Sequence, residues 1–226
     1  MWGVLGVILL IIGVFLVMVD RLGRQRGRGH EQAAAVSNAR QIGLALFEFE
    51  IEYGSFPDET TASKVRQKTG TPMHLGNSSA NDYFQQLVAA EIVSSPYVFY
   101  AESAFSAKAA LPDELGKWTI EPGTLGFGYF MNGKSAFTTE GNPLRPLACT
   151  PLAFDGKSVS SQQFEFDRYE GKAVILRIDN SVASVPIQKD TRLAILGGGK
   201  TLLQTGPDSV WSSTENPVII PPLPKP

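Results

Sequence analysis

Residues 31–53 read Glu31-Gln-Ala-Ala-Ala-Val-Ser-Asn-Ala-Arg-Gln-Ile-Gly-Leu-Ala-Leu-Phe-Glu-Phe-Glu-Ile-Glu-Tyr53. Ala35, Ala39, Ile42, Leu46, Phe49 and Tyr53 recur at intervals of three and four, which places them on one face of an α-helix. Leu44, Phe47 and Ile51 widen that stripe, while Arg40, Glu48 and Glu52 can remain in water. A face this broad requires a large partner, and a β-sheet is the natural one. Gly54 can end the helix and Pro57 prevents its resumption.

Working toward the N-terminus, residues 20–30, DRLGRQRGRGH, form a basic, glycine-rich link. It reads as a solvated hinge or as a contact for anionic headgroups, worth about 1 kcal/mol per arginine. Before it, Trp2 to Val19 are eighteen residues without a charge, thirteen of them Val, Leu, Ile or Phe. Those thirteen favour insertion into a bilayer by roughly 4–8 kcal/mol, and as a helix the segment is about 27 Å long. It is expected to be an uncleaved transmembrane anchor at 1–19, with Trp2 at one interface and Arg21 snorkelling at the other. The spacing of Gly3, Gly6 and Gly13 is not Gly-x-x-x-Gly and reads as ordinary membrane-helix glycine.

Working toward the C-terminus, Thr61–Thr69 is compatible with a short helix, although Val65 is its lone apolar anchor. Ala80–Ile92 predicts an amphipathic helix with Ser79 as N-cap and a stripe of Phe84, Leu87, Val88 and Ile92. After Pro96 the texture becomes β. Strands are predicted at Tyr97–Ala101, Gly126–Met131, Leu147–Phe154, Lys172–Ile178, Val182–Ile187 and Arg192–Leu196. Lys172–Ile178 and Ser181–Val185 flank Asp179-Asn180, a pair able to take the positive-φ positions of a hairpin turn. Residues 207–226, rich in proline, predict an extended or frayed tail. Helices first and strands afterwards argue for α+β, with one domain over 31–206.

Composition narrows the function classes. Twenty basic and 22 acidic residues give a net charge of −2, which does not suggest nucleic acid as a partner. One cysteine, Cys149, excludes an internal disulfide and multi-cysteine metal sites. His30 and His74 lie in no nucleophile-elbow context. Leu193-Ala-Ile-Leu-Gly-Gly-Gly-Lys-Thr201 imitates a phosphate-binding loop, but Ala194 stands where the first glycine is needed, so it reads as a turn. Asp155, Asp167 and Asp179 follow no calcium-loop pattern, and Glu48 with Glu52 reads as a solvated face. The sequence therefore presents no catalytic, cofactor-binding or metal-ligating set.

Asn38-Ala-Arg-Gln-Ile-Gly-Leu-Ala-Leu46, followed by Glu52-Tyr-Gly-Ser-Phe-Pro-Asp58, resembles type IV pilin-like proteins. Within them the likeness is to type II secretion pseudopilin-like proteins of the planctomycete–verrucomicrobial kind. In that group a membrane helix continues into an amphipathic helix reading roughly N-x-R/K-Q-I-G-L-A-L, then a G-x-F-P exit and a small antiparallel sheet. Ser79–Leu87 through Val98–Tyr100 is similar to the group's second helix and first strand, and Gly171–Val182 to its late hairpin. The family pattern also has a basic leader ending in glycine, then Phe-Thr-Leu-Ile-Glu, and this sequence carries neither.

The resemblance implies a transmembrane helix running into an amphipathic helix packed on a small antiparallel sheet. It implies a non-enzymatic structural component of a secretion or pilus-type system, with the lipid bilayer through residues 2–19 and other pilin-like or secretion-system subunits as partners. It also implies an inner-membrane location with the C-terminal domain on the periplasmic side. Arg21, Arg24, Arg26 and Arg28 argue for the reverse orientation, but one cluster does not always decide topology. A membrane-tethered envelope-binding module that does not assemble is the alternative. A membrane-bound hydrolase is the third class, and it would require Asp167, Asp179 and His74 to cluster.

Overall fold

A computed structural model gives the backbone of residues 2–108 and 118–226, with side chains described from Arg28 onward. One helix, α1, runs from Trp2 to Tyr53. The backbone of the link expected at 20–30 is part of that helix. Gly23, Gly27 and Gly29 each disfavour helix by roughly 1 kcal/mol, but they are isolated between long helical stretches, and propagation needs no new nucleus. The anchor expected at Trp2–Val19 lies outside the residues whose side chains are described. Among the described residues no helix is long and apolar enough to cross a membrane.

Gly54, at φ 91°, ends α1, and its N–H donates to the Glu50 carbonyl at 2.7 Å. Helix α2 (Glu59–Thr69) begins at Asp58, whose carboxylate accepts from the Thr60 and Thr61 N–H groups, and it closes on Gly70 in the left-handed region. Helix α3 (Ala80–Ala89) starts at the expected cap, Ser79, with Asp82 completing a reciprocal capping box. Gln86, fully buried, joins the two short helices: its Nε2 donates to the Asp58 carbonyl and its Oε1 accepts from the Thr61 hydroxyl.

Among the described residues seven strands follow: β1 (Gly128–Asn132), β2 (Pro146–Thr150), β3 (Leu152–Phe154), β4 (Val159–Phe164), β5 (Lys172–Arg177), β6 (Val182–Pro186) and β7 (Pro217–Ile220). Five form an antiparallel sheet in the order β6-β5-β2-β1-β7, and β3 pairs with β4 separately. Opposed residues in an antiparallel sheet share a face. Tyr129, Ala148, Leu176 and Val182 make one such row, and it meets the helices: Phe84 of α3 lies 5.2 Å from the Tyr129 ring. On the opposite face Phe130 stacks on Trp211 at 6.1 Å, and Leu152 presses on Gly128. The sheet is thus covered on both sides, which explains the unbroken apolar runs of β2 and β5.

Several expectations need correction. Tyr97–Ala101 is not a strand but a 3₁₀ turn at Pro96–Phe99, capped by Ser95. Asn38 of α1 takes its Tyr97 and Tyr100 carbonyls, so they are not available to a ladder. Leu147–Phe154 is two strands, because Pro151 has no N–H to donate and the chain changes sheet there. Arg192–Leu196 makes only isolated bridges, Ile187 to Ala194 and Ile195 to Thr201. The polar strand β4 was not expected.

The tail is not frayed. β7 pairs with β1 through four residues, its proline standing first in an edge strand. Beyond it, the Leu223 N–H donates to Asn81 Oδ1 and its carbonyl accepts from Gly123, while Lys225 N–H reaches the Phe105 carbonyl. Residues 207–226 belong to the head.

The β5–β6 hairpin forms as expected, with one difference. Of Asp179 and Asn180 only Asn180 takes positive φ (60°), and Asp179 instead accepts the Ser181 N–H. Arg177 N–H pairs with the Ser181 carbonyl, which makes a three-residue loop.

Candidate functional site

The inward stripe of α1 is buried as its spacing requires: Ala35, Ala39, Ile42, Leu46, Phe49 and Tyr53 are all at most 4% exposed. The motif around it resolves into separate tasks. Asn38 holds the turn at Pro96–Phe99 against α1 with two hydrogen bonds, of 2.9 and 2.8 Å. Gly43 allows the hairpin to close on the helix, since a Cβ there would stand 2.1 Å from Asn180 Oδ1 and 3.0 Å from Leu176 Cδ1. After Gly54, the Phe56 ring enters the core and the Pro57 carbonyl accepts from the buried Tyr129 hydroxyl at 3.1 Å. Asp58 then caps α2.

Leu44 and Ile51 do not widen the buried stripe. They are 59% and 88% exposed, while Phe47 is half-buried against Phe56. A sheet contacts only the near side of a helix, so residues about 180° away stay outside. The outward face of α1 carries Ser37, Arg40, Leu44, Glu48 and Ile51.

Where α1 leaves the head, one guanidinium serves three carboxylates. Arg168 lies 3.2 Å from Glu165, 3.6 Å from Glu31 of α1 and 3.8 Å from Glu102. Burial works against its charge, but the three carboxylates outweigh it and hold the Arg168 pKa above its ordinary value. Tyr100 donates to the Glu102 carboxylate, and Tyr169 donates to the Glu102 carbonyl at 2.9 Å. Gln32 of α1 adds a bond to the Ser184 hydroxyl at 2.7 Å. Each of these contacts is partly exposed and contributes little stability alone. Together they orient the helix on the head. Their residues are scattered along the chain, and no local pattern announces them.

The residues weighed for chemistry are kept apart. Cys149 is fully buried on β2, where burial pushes its thiol well above the ordinary value and leaves it unreactive. His30 and His74 are exposed, the first on α1 and the second in the α2–α3 loop. His74 edges a cleft of about 340 Å³ with Glu59 and Arg66, but Arg66 is committed to the Leu75 carbonyl. Asp155 accepts from Lys157 and Ser158 in a turn of its own, and these bonds lower its pKa. Glu52 pairs with Lys68 at 2.6 Å. Gly197–Gly199 is a 3₁₀ turn with two glycines at positive φ. Among the described residues, no three His, Cys, Asp or Glu side chains are placed to share a metal ion.

No protein-family model, curated protein or solved structure matches the chain.

Proposed function

We propose that this protein is a single-pass, membrane-anchored, pseudopilin-like structural component of a secretion or pilus-type system. The observation that carries the reading is the single helix from Trp2 to Tyr53. It joins the apolar segment and the head-packing stripe in one rod of about 78 Å. Of the motif residues, Asn38 and Gly43 fit that rod against the head, and Gly54, Phe56 and Asp58 shape the turn that leads from it into the head. Residues 2–19 hold the bilayer, the head stands on the periplasmic side of the inner membrane, and the outward face of α1 meets other subunits. No chemical step is assigned to it.

Membrane fractionation combined with protease accessibility in spheroplasts tests this reading. The expected result is a membrane-bound chain whose head is digested from outside. A soluble product, or a head protected until lysis, would overturn it.

A second reading is favoured by one observation: residues 2–19 contain no glutamate of the kind the family carries there. In it the protein is a tethered envelope-binding module that does not assemble. Cysteines engineered one at a time into residues 3–16 separate the two, because Cys149 is buried and silent. Assembling subunits crosslink there, whereas solitary anchors do not.

A further inference from the structure

The two edges of the five-stranded sheet differ. At the β7 edge Pro217 has no N–H, Ile219 is buried, and the Pro221 carbonyl accepts from Ala80. The other edge is β6. Arg177 N–H donates to the Ser181 carbonyl and Ile187 N–H to that of Gly171, so by alternation Ala183 and Val185 exchange bonds with Ile175 and Ala173. Val182 and Ser184 therefore turn their N–H and C=O groups outward, and among the described residues nothing takes these four groups. Pro186, whose carbonyl accepts from Ile195, closes the opening at its far end.

The open edge lies beside α1. Gln32 Nε2 donates to Ser184 Oγ at 2.7 Å, and Asn180 at the hairpin tip meets Gly43. The two helix positions are about 16 Å apart and the two hairpin positions about 13 Å, so strand and helix run side by side in opposite directions. The flank of α1 along this edge is a row at four-residue spacing: Arg28, Gln32, Val36 and Arg40. Both arginines are exposed, and they stand about 18 Å apart along the axis. Lys172, opposite Pro186 and also exposed, shares that face of the sheet. Among the described residues, none of the three cations has a carboxylate partner.

We propose that β6 takes up an extended, acidic peptide segment of a partner protein as an added strand, in the corner between the sheet edge and α1. The outward groups of Val182 and Ser184 supply the main-chain bonds. Alternate residues of the added segment face α1, and the first and fifth of these five positions lie about 13 Å apart. Acidic side chains there meet the arms of Arg28 and Arg40, and a small apolar third residue meets half-buried Val36. A second copy of this chain suits the edge poorly. Antiparallel pairing of β6 with its own copy points the two α1 helices in opposite directions, and on the reading above both anchors must enter one membrane.

The test titrates the full chain, in nonionic detergent at low salt, into fluorescein-labelled acetyl-Glu-Thr-Val-Thr-Glu-amide and reads anisotropy. The acidic peptide should bind at least about tenfold more tightly than its counterpart with lysine in place of glutamate. The acidic peptide N-methylated at its three central amides keeps its charge and should lose binding. Arg28→Gln/Arg40→Gln should remove most of the preference for glutamate while its thermal unfolding stays that of the parent. Equal binding of the acidic and basic peptides, or no binding of either, would overturn the proposal. Undiminished binding of the methylated peptide would reduce the site to a charged surface and overturn it as well. Sedimentation that shows a dimer excluding the peptide would give the edge to a second copy instead. None of these readouts needs a membrane, so failure here leaves the anchor standing, and a soluble chain that binds the peptide defeats the anchor alone.

Discussion

Along residues 31–53, α1 turns Ala35, Ala39, Ile42, Leu46, Phe49 and Tyr53 to the sheet and Ser37, Arg40, Leu44, Glu48 and Ile51 to solvent. Both faces contain large aliphatic side chains, yet only the inner set is needed to close the head. The inner face is also graded. Ala35, Ala39, Ile42 and Gly43 occupy its first half, and Leu46, Phe49 and Tyr53 its second, with the Phe49 and Tyr53 rings stacked at 4.5 Å. The hairpin closes on the helix at Gly43, and bulky rings fill the space beside its end. The outer face shows what a helix keeps when packing makes no demand on it.

The contrast breaks most clearly by truncation. Phe49→Ala removes a fully buried ring and should cost about 3–5 kcal/mol. Ile51→Ala, two residues away and 88% exposed, should change stability by no more than about 0.5 kcal/mol. Urea midpoints of the full chain in detergent measure both. Comparable losses would mean that the outer face is covered in the folded chain.

Gly43 sharpens the comparison from the other side. In an open helix, alanine is favoured over glycine by about 1 kcal/mol. Here the added methyl would stand 2.1 Å from Asn180 Oδ1, so Gly43→Ala should instead destabilise by about 1–3 kcal/mol. Asn180→Gly should restore much of that loss, because it removes the obstructing amide and suits the φ of 60° at that position. A stabilised Gly43→Ala would show that the hairpin does not approach the helix this closely.

Asp58, where the inner face ends, predicts a smaller and pH-dependent effect. Burial pushes its carboxyl up, but bonds from Thr60, Thr61 and Ala136 outweigh this and hold it below the ordinary value. A carboxylate depressed by folding stabilises fully above its unfolded pKa, near 3.9, and that contribution disappears as pH falls through the lower folded value. Asp58→Asn keeps the cap and removes the titration. Its stability should be flatter below about pH 4 than the parent's, and lower than the parent's at neutrality. Parallel curves for the two proteins would exclude Asp58 as the group responsible.

Much of this architecture was written in local periodicity. The inner stripe, the Ser79 cap, the Gly54 stop and the β5–β6 hairpin each depend on residues within a few positions of one another, so spacing suffices to find them. Other features depend on distant partners. The turn at Pro96–Phe99 takes its shape from Asn38, which no window around residue 97 contains. β7 is a strand because β1 offers an edge, although its surroundings are rich in proline. The gathering of Glu31, Glu102 and Glu165 on Arg168 joins three separate regions of the chain. The exposure of Leu44 and Ile51 was hidden for a related reason: periodicity finds an apolar stripe but not how much of the helix its partner will cover.

The smallest expected change in stability carries the most functional weight. Leu44→Ser with Ile51→Ser alters two side chains that the head does not need, so the urea midpoint should move by no more than about 0.5 kcal/mol in equivalent stability. Serine is a poorer helix former than leucine by a few tenths of a kcal/mol, which bounds the effect from the other direction. If the outward face meets other subunits, the same two substitutions should abolish crosslinking through cysteines in residues 3–16, since the anchors would no longer be held together by the rods above them. Crosslinks that persist undiminished would confine association to the apolar segment and leave the outer face of α1 without a role in assembly. Loss of crosslinks at unchanged stability is the one outcome that packing within a single chain cannot produce.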